Sequence, residues 1–301
     1  MYLSVAGINI TISLSNDERW GAFRKDFHGF MHNGDAARED LRVQYRFEDV
    51  LSDIKETDYT WCCNGSSEGV PDVPYTYTWK VCIGEGEKEV VDIKYIEGHP
   101  FLQSVRMWID PQNKRVDIAM VLLSDVNQPD LMVMPLFMLF LSRILWRFDA
   151  ILIHSSAISD QGHGRLFTAL SGTGKSTMAG IWERRGATII NDDMLIMRLH
   201  RPTNKTWVFN IPMPYYLDTQ RSVSLDTVFF IRQCKRNEVG ELKGAVNAMK
   251  LMSHTAHQTF QPEYLKVYLK LVTDIARSVR FADCGFLPDE RIVDEIHNAG
   301  L

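Results

Sequence analysis

The sequence predicts a mixed α/β protein in which a β-rich domain precedes a nucleotide-binding α/β domain. Three observations predict it. First, a strand, a glycine-rich loop and a helix follow one another between Arg165 and Arg185, in the order a phosphate-binding loop requires. Second, two strand-like segments, Ala150 to Ser159 and Arg165 to Leu170, are separated only by a turn, Asp160-Gln161-Gly162-His163-Gly164. So short a connection makes them an antiparallel hairpin, where an ordinary doubly wound domain would insert a helix. Third, the text before residue 150 is aromatic and β-branched with turn-rich breaks, as antiparallel strands are. The domains are drawn as residues 1–130 and 131–301.

In the N-terminal domain Met1 to Leu14 reads as a strand, and Ile8 to Leu14 alternates. Asn64-Gly65-Ser66-Ser67-Glu68-Gly69 reads as an exposed loop. Tyr75 to Val81 and Val90 to Ile93 are strands separated by Gly84-Glu85-Gly86-Glu87. Val105 to Ile109 and Val116 to Val121 flank Asp110-Pro111-Gln112-Asn113-Lys114, a hairpin signal. Leu131 to Trp146 is the most apolar stretch. Pro135, Ser142 and Arg143 interrupt it, and it is shorter than the roughly 20 residues of a membrane span. Pro135 to Arg147 is therefore read as a buried helix joining the two halves, with a membrane-surface helix as the competing reading.

The loop itself is Leu170-Ser171-Gly172-Thr173-Gly174-Lys175-Ser176-Thr177. Ser171, Gly172, Thr173, Gly174, Lys175, Ser176 and Thr177 are the candidate phosphate-binding residues. Glycines let backbone N–H groups converge on phosphate oxygens, and the helix N-terminus adds positive potential. Lys175 can reach the β- and γ-phosphates, and the Ser176 hydroxyl can ligate Mg²⁺. Without ligand, Lys175 is expected to face solvent. The full pattern has a glycine where this chain has Ala169. A surface turn with a chance Lys-Ser pair is the competing reading, and the strand–loop–helix order argues against it.

Ala187 to Asn191 suits a buried strand ending in Asp192-Asp193, 17 and 18 residues after Lys175. A carboxylate at a strand end beside the loop can hold Mg²⁺. On an extended backbone adjacent carboxylates point to opposite sides, so one can face the metal and the other the attacking group as a base. An acidic turn before Met194 to Leu199 is the alternative. His154, 21 residues before Lys175, lies on the strand next to the loop-bearing one. A contact with Asp192 would orient that carboxylate or tune its pKa, and a satisfied core histidine is the alternative.

Further along, Thr227 to Ile231 is a central strand. Glu241 to His257, Pro262 to Arg277 and Leu287 to Asn298 read as helices, with Tyr264, Leu265, Tyr268, Leu269 and Val272 on one core face. Arg198, Arg201, Arg221 and Arg232 could clamp phosphate, but a surface ion pair is the favoured reading for each. Arg221 is singled out because it lies in the loop before the central strand.

The 301 residues are 45% hydrophobic and 24% charged, as in a globular protein with ample core. A net charge of −5 and a pI of about 6.0 argue against a dedicated nucleic-acid binder. The first residues do not read as a signal peptide. Cys62, Cys63, Cys82, Cys234 and Cys284 form no spaced framework, and the histidines make no zinc pattern. Free thiols, buried in strands, and a cytoplasmic setting are expected.

His154, the hairpin Ile158 to Gly164, the loop Ser171 to Thr177, Arg185-Gly186-Ala187 and Asn191-Asp192-Asp193 together resemble the HPr kinase/phosphorylase superfamily. The chain looks most like its divergent HPr-kinase-like branch. The resemblance covers roughly Ile153 to Leu199. It implies a phosphoenolpyruvate carboxykinase-like P-loop kinase domain, ATP and Mg²⁺ as cofactors, and Lys175 on phosphate. It also implies Ser176 with Asp193 near Mg²⁺, and Asp192 as the base activating a hydroxyl, supported by His154. Ala169 departs from the family, and the HPr-kinase signature that follows the nucleotide site has no clear match. The expected function is Mg²⁺-dependent phosphoryl transfer from ATP to a hydroxyl of a protein, peptide or small molecule. A non-catalytic ATP-binding accessory protein and an ordinary P-loop small-metabolite kinase are the alternatives. The acceptor, the choice between ATP and pyrophosphate, and a homo-oligomeric state stay open.

Overall fold

A computed structural model describes residues 1–14, 25–33, 38–68, 75–123, 130, 135–212, 219–256 and 262–301. The protein is mixed α/β, with two large mixed sheets and few helices. It divides into two compact units, Met1–Met138 and Leu139–Leu301.

The first unit holds β1 (Tyr2–Val5), β2 (Ile8–Leu14), β3 (Met31–His32), β4 (Leu41–Phe47), β5 (Trp61–Ser66), β6 (Thr76–Ile83), β7 (Glu89–Glu97), β8 (Leu102–Asp110) and β9 (Arg115–Leu122). They form one sheet in the order β3-β1-β2-β4-β9-β8-β7-β6-β5. The pairings β2–β4 and β4–β9 are parallel, and the rest along this path are antiparallel. The expected Met1 to Leu14 strand is in fact a hairpin. Ala6 and Gly7 both take positive φ, which reverses the chain in two residues. The loop expected over residues 64–69 is strand β5 as far as Ser66, and residue 69 lies outside the described residues.

The cysteine expectation is corrected as well. Cys62 and Cys82 stand directly opposite on β5 and β6 and are joined by a disulfide. Cys63, Cys234 and Cys284 carry free thiols. Adjacent cysteines on one strand point to opposite sides, so only one of the pair can meet the neighbouring strand's cysteine.

Helix α1 (Leu136–Ile144) spans the division between the units; Leu136, Phe137, Leu139, Phe140, Leu141 and Ile144 are buried. The buried-helix reading holds, though residues 131–134 lie outside the described residues. Among the described residues no helix is long and apolar enough to cross a membrane.

The second unit comprises β10 (Ala150–Asp160), β11 (His163–Thr168), α2 (Lys175–Arg184), β12 (Thr188–Asn191), β13 (Met194–His200), β14 (Lys205–Asn210), β15 (Ser222–Gln233), β16 (Glu238–Leu242), α3 (Val246–Ser253), α4 (Pro262–Arg277), β17 (Arg280–Phe286) and α5 (Arg291–Asn298). β10 and β11 form the expected antiparallel hairpin, while β11 runs parallel to β15 and β15 parallel to β17. The loop-bearing strand thus has one antiparallel and one parallel neighbour. Both long strands change partners along their length. β10 pairs with β13 over Ala150–His154 and with β11 over Ser155–Asp160. β15 pairs with β14 near its start, with β11 from Leu225 and with β17 from Thr227.

One face of the sheet buries Ile158, Phe167 and Phe229 against Met178, Ile181 and Trp182 of α2 and Ile292 and Ile296 of α5. Ile153, Leu166, Val228 and Phe230 pack with Tyr268, Leu271, Val272 and Ile275 of α4. On α4, Tyr264 also turns inward but Leu269 is exposed, which corrects the expected stripe. Glu241 and Leu242 are strand rather than helix, because they pair with β17, and Gly244 at φ +103° breaks the chain before α3. The last helix starts at Arg291 rather than Leu287.

His99 links sequence to stability in the first unit. Its Nδ1 accepts the N–H groups of Phe101 and Leu102 (3.3 and 2.8 Å), so it must be unprotonated. The ring is buried against Tyr75, Tyr95 and Phe101. Burial pulls its pKa down to about 4. In the unfolded chain the ring titrates near 6.5. Below that pH the unfolded state takes up a proton that the folded state refuses, so stability is fully present above pH 6.5 and falls as pH drops toward 4. His99→Asn keeps an acceptor near Nδ1 and removes the titration. The variant is expected to be less stable at pH 7, with the gap to wild type narrowing by about 2 kcal/mol between pH 7 and 4.5, at roughly 1.4 kcal/mol per pH unit. Urea unfolding followed by circular dichroism measures it; a gap independent of pH would contradict it.

Candidate functional site

Strand β11 delivers the chain to the loop, and α2 starts at Lys175. Gly172 and Gly174 have φ of +76° and +110°, conformations that side chains rarely adopt. They turn the chain so that the first free N–H groups of α2 open beside the loop. Ala169 is not among the residues with positive φ, which is why an alanine fits at the place the common pattern gives to glycine.

Lys175 corrects an expectation. It is 5% exposed rather than solvent-facing. Its ammonium donates to the carbonyls of Ala169 (3.2 Å) and Leu170 (3.3 Å). Burial lowers its pKa, and Asp193 partly offsets that. Ser171, Gly172, Ser176 and Thr177 are exposed, and Thr173 and Gly174 are half-buried. The Ser156 hydroxyl of β10 donates to the Lys175 carbonyl (3.0 Å) and ties the start of α2 to the sheet.

The acidic pair follows from an interruption. β12 and β13 run along the same side of β10, with Ala157 opposite Asn191 and His154 opposite Met194. Between them the Asn191 Oδ1 accepts the N–H groups of both Asp192 (2.7 Å) and Asp193 (3.0 Å). This side-chain turn breaks the pleat. An unbroken strand would set Asp192 opposite Ser156, on the face that carries His154. With the break, Asp193 meets His154 instead, its carboxylate 3.2 Å from Nε2. The expected His154–Asp192 contact is therefore corrected to His154–Asp193. Among the described residues nothing hydrogen-bonds the half-buried Asp192 carboxylate.

His154 has its pKa lowered, first by burial and next by Lys175, with Asp193 opposing. Its neighbour on the other side of β10 is a residue the sequence reading missed. Ile153 bridges Thr255, the His154 N–H donates to the His254 carbonyl (3.4 Å), and the Ala256 N–H donates to that of Leu152 (2.8 Å). This register sets His254 directly opposite His154. Sequence reading placed His254 inside a helix; the signal for the bridge lies in long-range pairing.

Three of the candidate arginines have partners within the protein. Arg201 pairs with Asp149 and Asp274, and Arg232 with Asp283 and Glu238. Arg221 donates to the Ile189 carbonyl (2.6 Å), fastening β12, and Arg198 lies on β13.

Among the described residues no three His, Cys, Asp or Glu side chains form a metal cage. The Ser176 hydroxyl and the Asp193 carboxylate fit Mg²⁺ as oxygen donors. Mg²⁺ is ordinarily held by one or two carboxylates completed by phosphates and water.

No family model matches the sequence, and no curated protein does. Among solved structures the chain is similar to the HPr(Ser) kinase/phosphatase from Coxiella burnetii, with a TM-score of 0.31 and 10% sequence identity, over 50% of this chain and 95% of that one. A likeness of that degree carries no argument.

The two loop glycines are predicted to differ in their tolerance. A Cβ on Gly174 would lie 2.9 Å from Phe286 Cζ and would be held at an unfavourable φ. A Cβ on Gly172 meets nothing within 4 Å. Gly172→Ala should cost about 1 kcal/mol and Gly174→Ala about 2–4 kcal/mol by urea unfolding. Equal costs would contradict the loop geometry.

Proposed function

We propose that the second unit is a Mg²⁺-dependent kinase domain of the HPr-kinase-like kind, transferring the γ-phosphoryl group of ATP to a hydroxyl. The reading rests on one observation above all. A loop turned by left-handed Gly172 and Gly174 opens at the N-terminus of α2, with the Lys175 ammonium held by the carbonyls of residues 169 and 170 next to the Asp193–His154 pair.

In this reading the N–H groups of Ser171 to Thr177 hold the phosphates, and the Lys175 ammonium exchanges its two carbonyls for phosphate oxygens. Ser176 and Asp193 would hold Mg²⁺, which when bound neutralises charge on the phosphates. His154 keeps Asp193 in orientation, as a partner to a metal-ligating carboxylate does. Asp192, with its carboxylate unengaged, accepts the proton of the acceptor hydroxyl. The hydroxyl oxygen bonds to the γ-phosphorus and ADP leaves. Positioning and charge neutralisation supply most of such a rate enhancement. The acceptor is a protein, peptide or small molecule; the Cys62–Cys82 disulfide removes the cysteine argument for a cytoplasmic setting. Residues 1–130 are proposed as a separate β-rich domain.

Calorimetry and a transfer assay test the reading. Lys175→Met should weaken ATP binding at least tenfold and also lower stability, since it removes two hydrogen bonds. ATP affinity equal to wild type would remove the phosphate-loop assignment. Ser176→Ala and Asp193→Ala should each raise the Mg²⁺ concentration needed for nucleotide binding. With labelled ATP and candidate acceptors, Asp192→Asn should keep nucleotide binding and lose on the order of 10²–10⁴-fold in transfer. ATP binding without transfer to any acceptor would leave the accessory-protein reading.

A further inference from the structure

The bridge between Ile153 and Thr255 brings more than a backbone contact to the loop. It sets His254 opposite His154, and α3, which ends just before it, contributes Lys250. The His254 ring lies beside Phe230 of β15, with centroids 5.8 Å apart. The Lys250 Nζ stands over that same ring, 5.2 Å from its centroid. Among the described residues no group hydrogen-bonds the His254 imidazole, and no carboxylate pairs with Lys250. His254 is half-buried and Lys250 exposed. Burial first, and after it the charges of Lys175, His154 and Lys250, lower the pKa of His254, so the four groups share one electrostatic neighbourhood. An unsatisfied imidazole and an unpaired ammonium on one aromatic ring, next to the loop lysine, are complementary to an oxyanion. A neutral imidazole still donates one hydrogen bond, and an arriving anion favours its charged form.

We propose that His254 and Lys250 form an anion subsite beside the phosphate loop, which takes an oxyanion (phosphate or carboxylate) carried by the acceptor near its reacting hydroxyl. The proposal rests on the phosphoryl-transfer reading above and narrows its acceptor to an anionic one. The Phe230 ring lies against both donors. Asp193 and Asp192 stay on the β12–β13 side of His154, so the acceptor's anion and its hydroxyl are received by different groups.

The test uses the full chain saturated with Mg²⁺ and a non-hydrolysable ATP analogue, so that the γ-phosphate position is filled. Inorganic phosphate is then titrated calorimetrically, and acetate in a second series. Wild type should bind one phosphate. His254→Ala and Lys250→Ala should each weaken it about tenfold, the scale of one charge-assisted hydrogen bond. His254→Gln, which keeps a donor, should restore part of the loss. Affinity for the nucleotide analogue should change less than twofold in all three. Acetate bound with the same sensitivity to the variants extends the subsite to carboxylates, and acetate failing to bind restricts it to phosphate. No phosphate binding, or binding insensitive to both alanine variants, overturns the subsite while leaving the phosphate loop in place. A wild type that fails to bind the analogue removes the phosphate-loop reading, and the subsite falls with it. Circular-dichroism melting of each variant separates lost folding from lost binding.

Discussion

Strand β10 changes partners at Ser155, and each group of the candidate site takes its position from that change. Up to His154 the strand is flanked by β13 and by the short bridge at Thr255. Beyond it the flanks are β12 and β11. The loop leaves the sheet where β11 ends, opposite Ser155, and the bridge carrying His254 takes up the space beside the earlier half of β10. Backbone N–H and C=O groups in a sheet must be paired, so a strand that loses one neighbour has to find another. His154, Ser156, Asp193 and His254 are all set by the register of this one strand.

The second determinant is Asn191. Buried, it shares its Oδ1 between two consecutive amides in a side-chain turn. The turn decides which aspartate meets His154. It also leaves the two carboxylates in different surroundings, one against an imidazole and near Lys175, the other without a partner among the described residues. Two carboxylates in different environments can take different parts in one reaction. That division underlies the roles proposed for Asp193 and Asp192.

Lys175 braces the loop from within. Its ammonium is drawn back onto two loop carbonyls, so the charge is satisfied and the loop is braced. Phosphate oxygens would exchange one set of acceptors for another, and little reorganisation would remain for the moment of binding. The Gly174–Phe286 contact closes the loop from below, through β17, a strand that sequence reading did not single out.

Local order was legible in the sequence because it depends on near neighbours. The loop residues, the β10–β11 hairpin, the central strand and the buried helix after residue 135 follow from glycine placement, short turns and apolar runs. Pairing across long sequence distances was not legible. The Cys62–Cys82 bond, the β16–β17 pair and the Ile153–Thr255 bridge join segments whose mutual register no local pattern encodes. The expected His154–Asp192 contact went astray for a related reason. Alternation along an extended strand was the right rule, but Asn191 suspends it locally by drawing the amides of Asp192 and Asp193 onto its own Oδ1. The sequence by itself determined the strand–loop–helix order and the residues proposed to handle phosphate. Only the tertiary structure decided which carboxylate faces His154 and which histidine stands opposite it, because both are set by strand register and by a single side-chain turn.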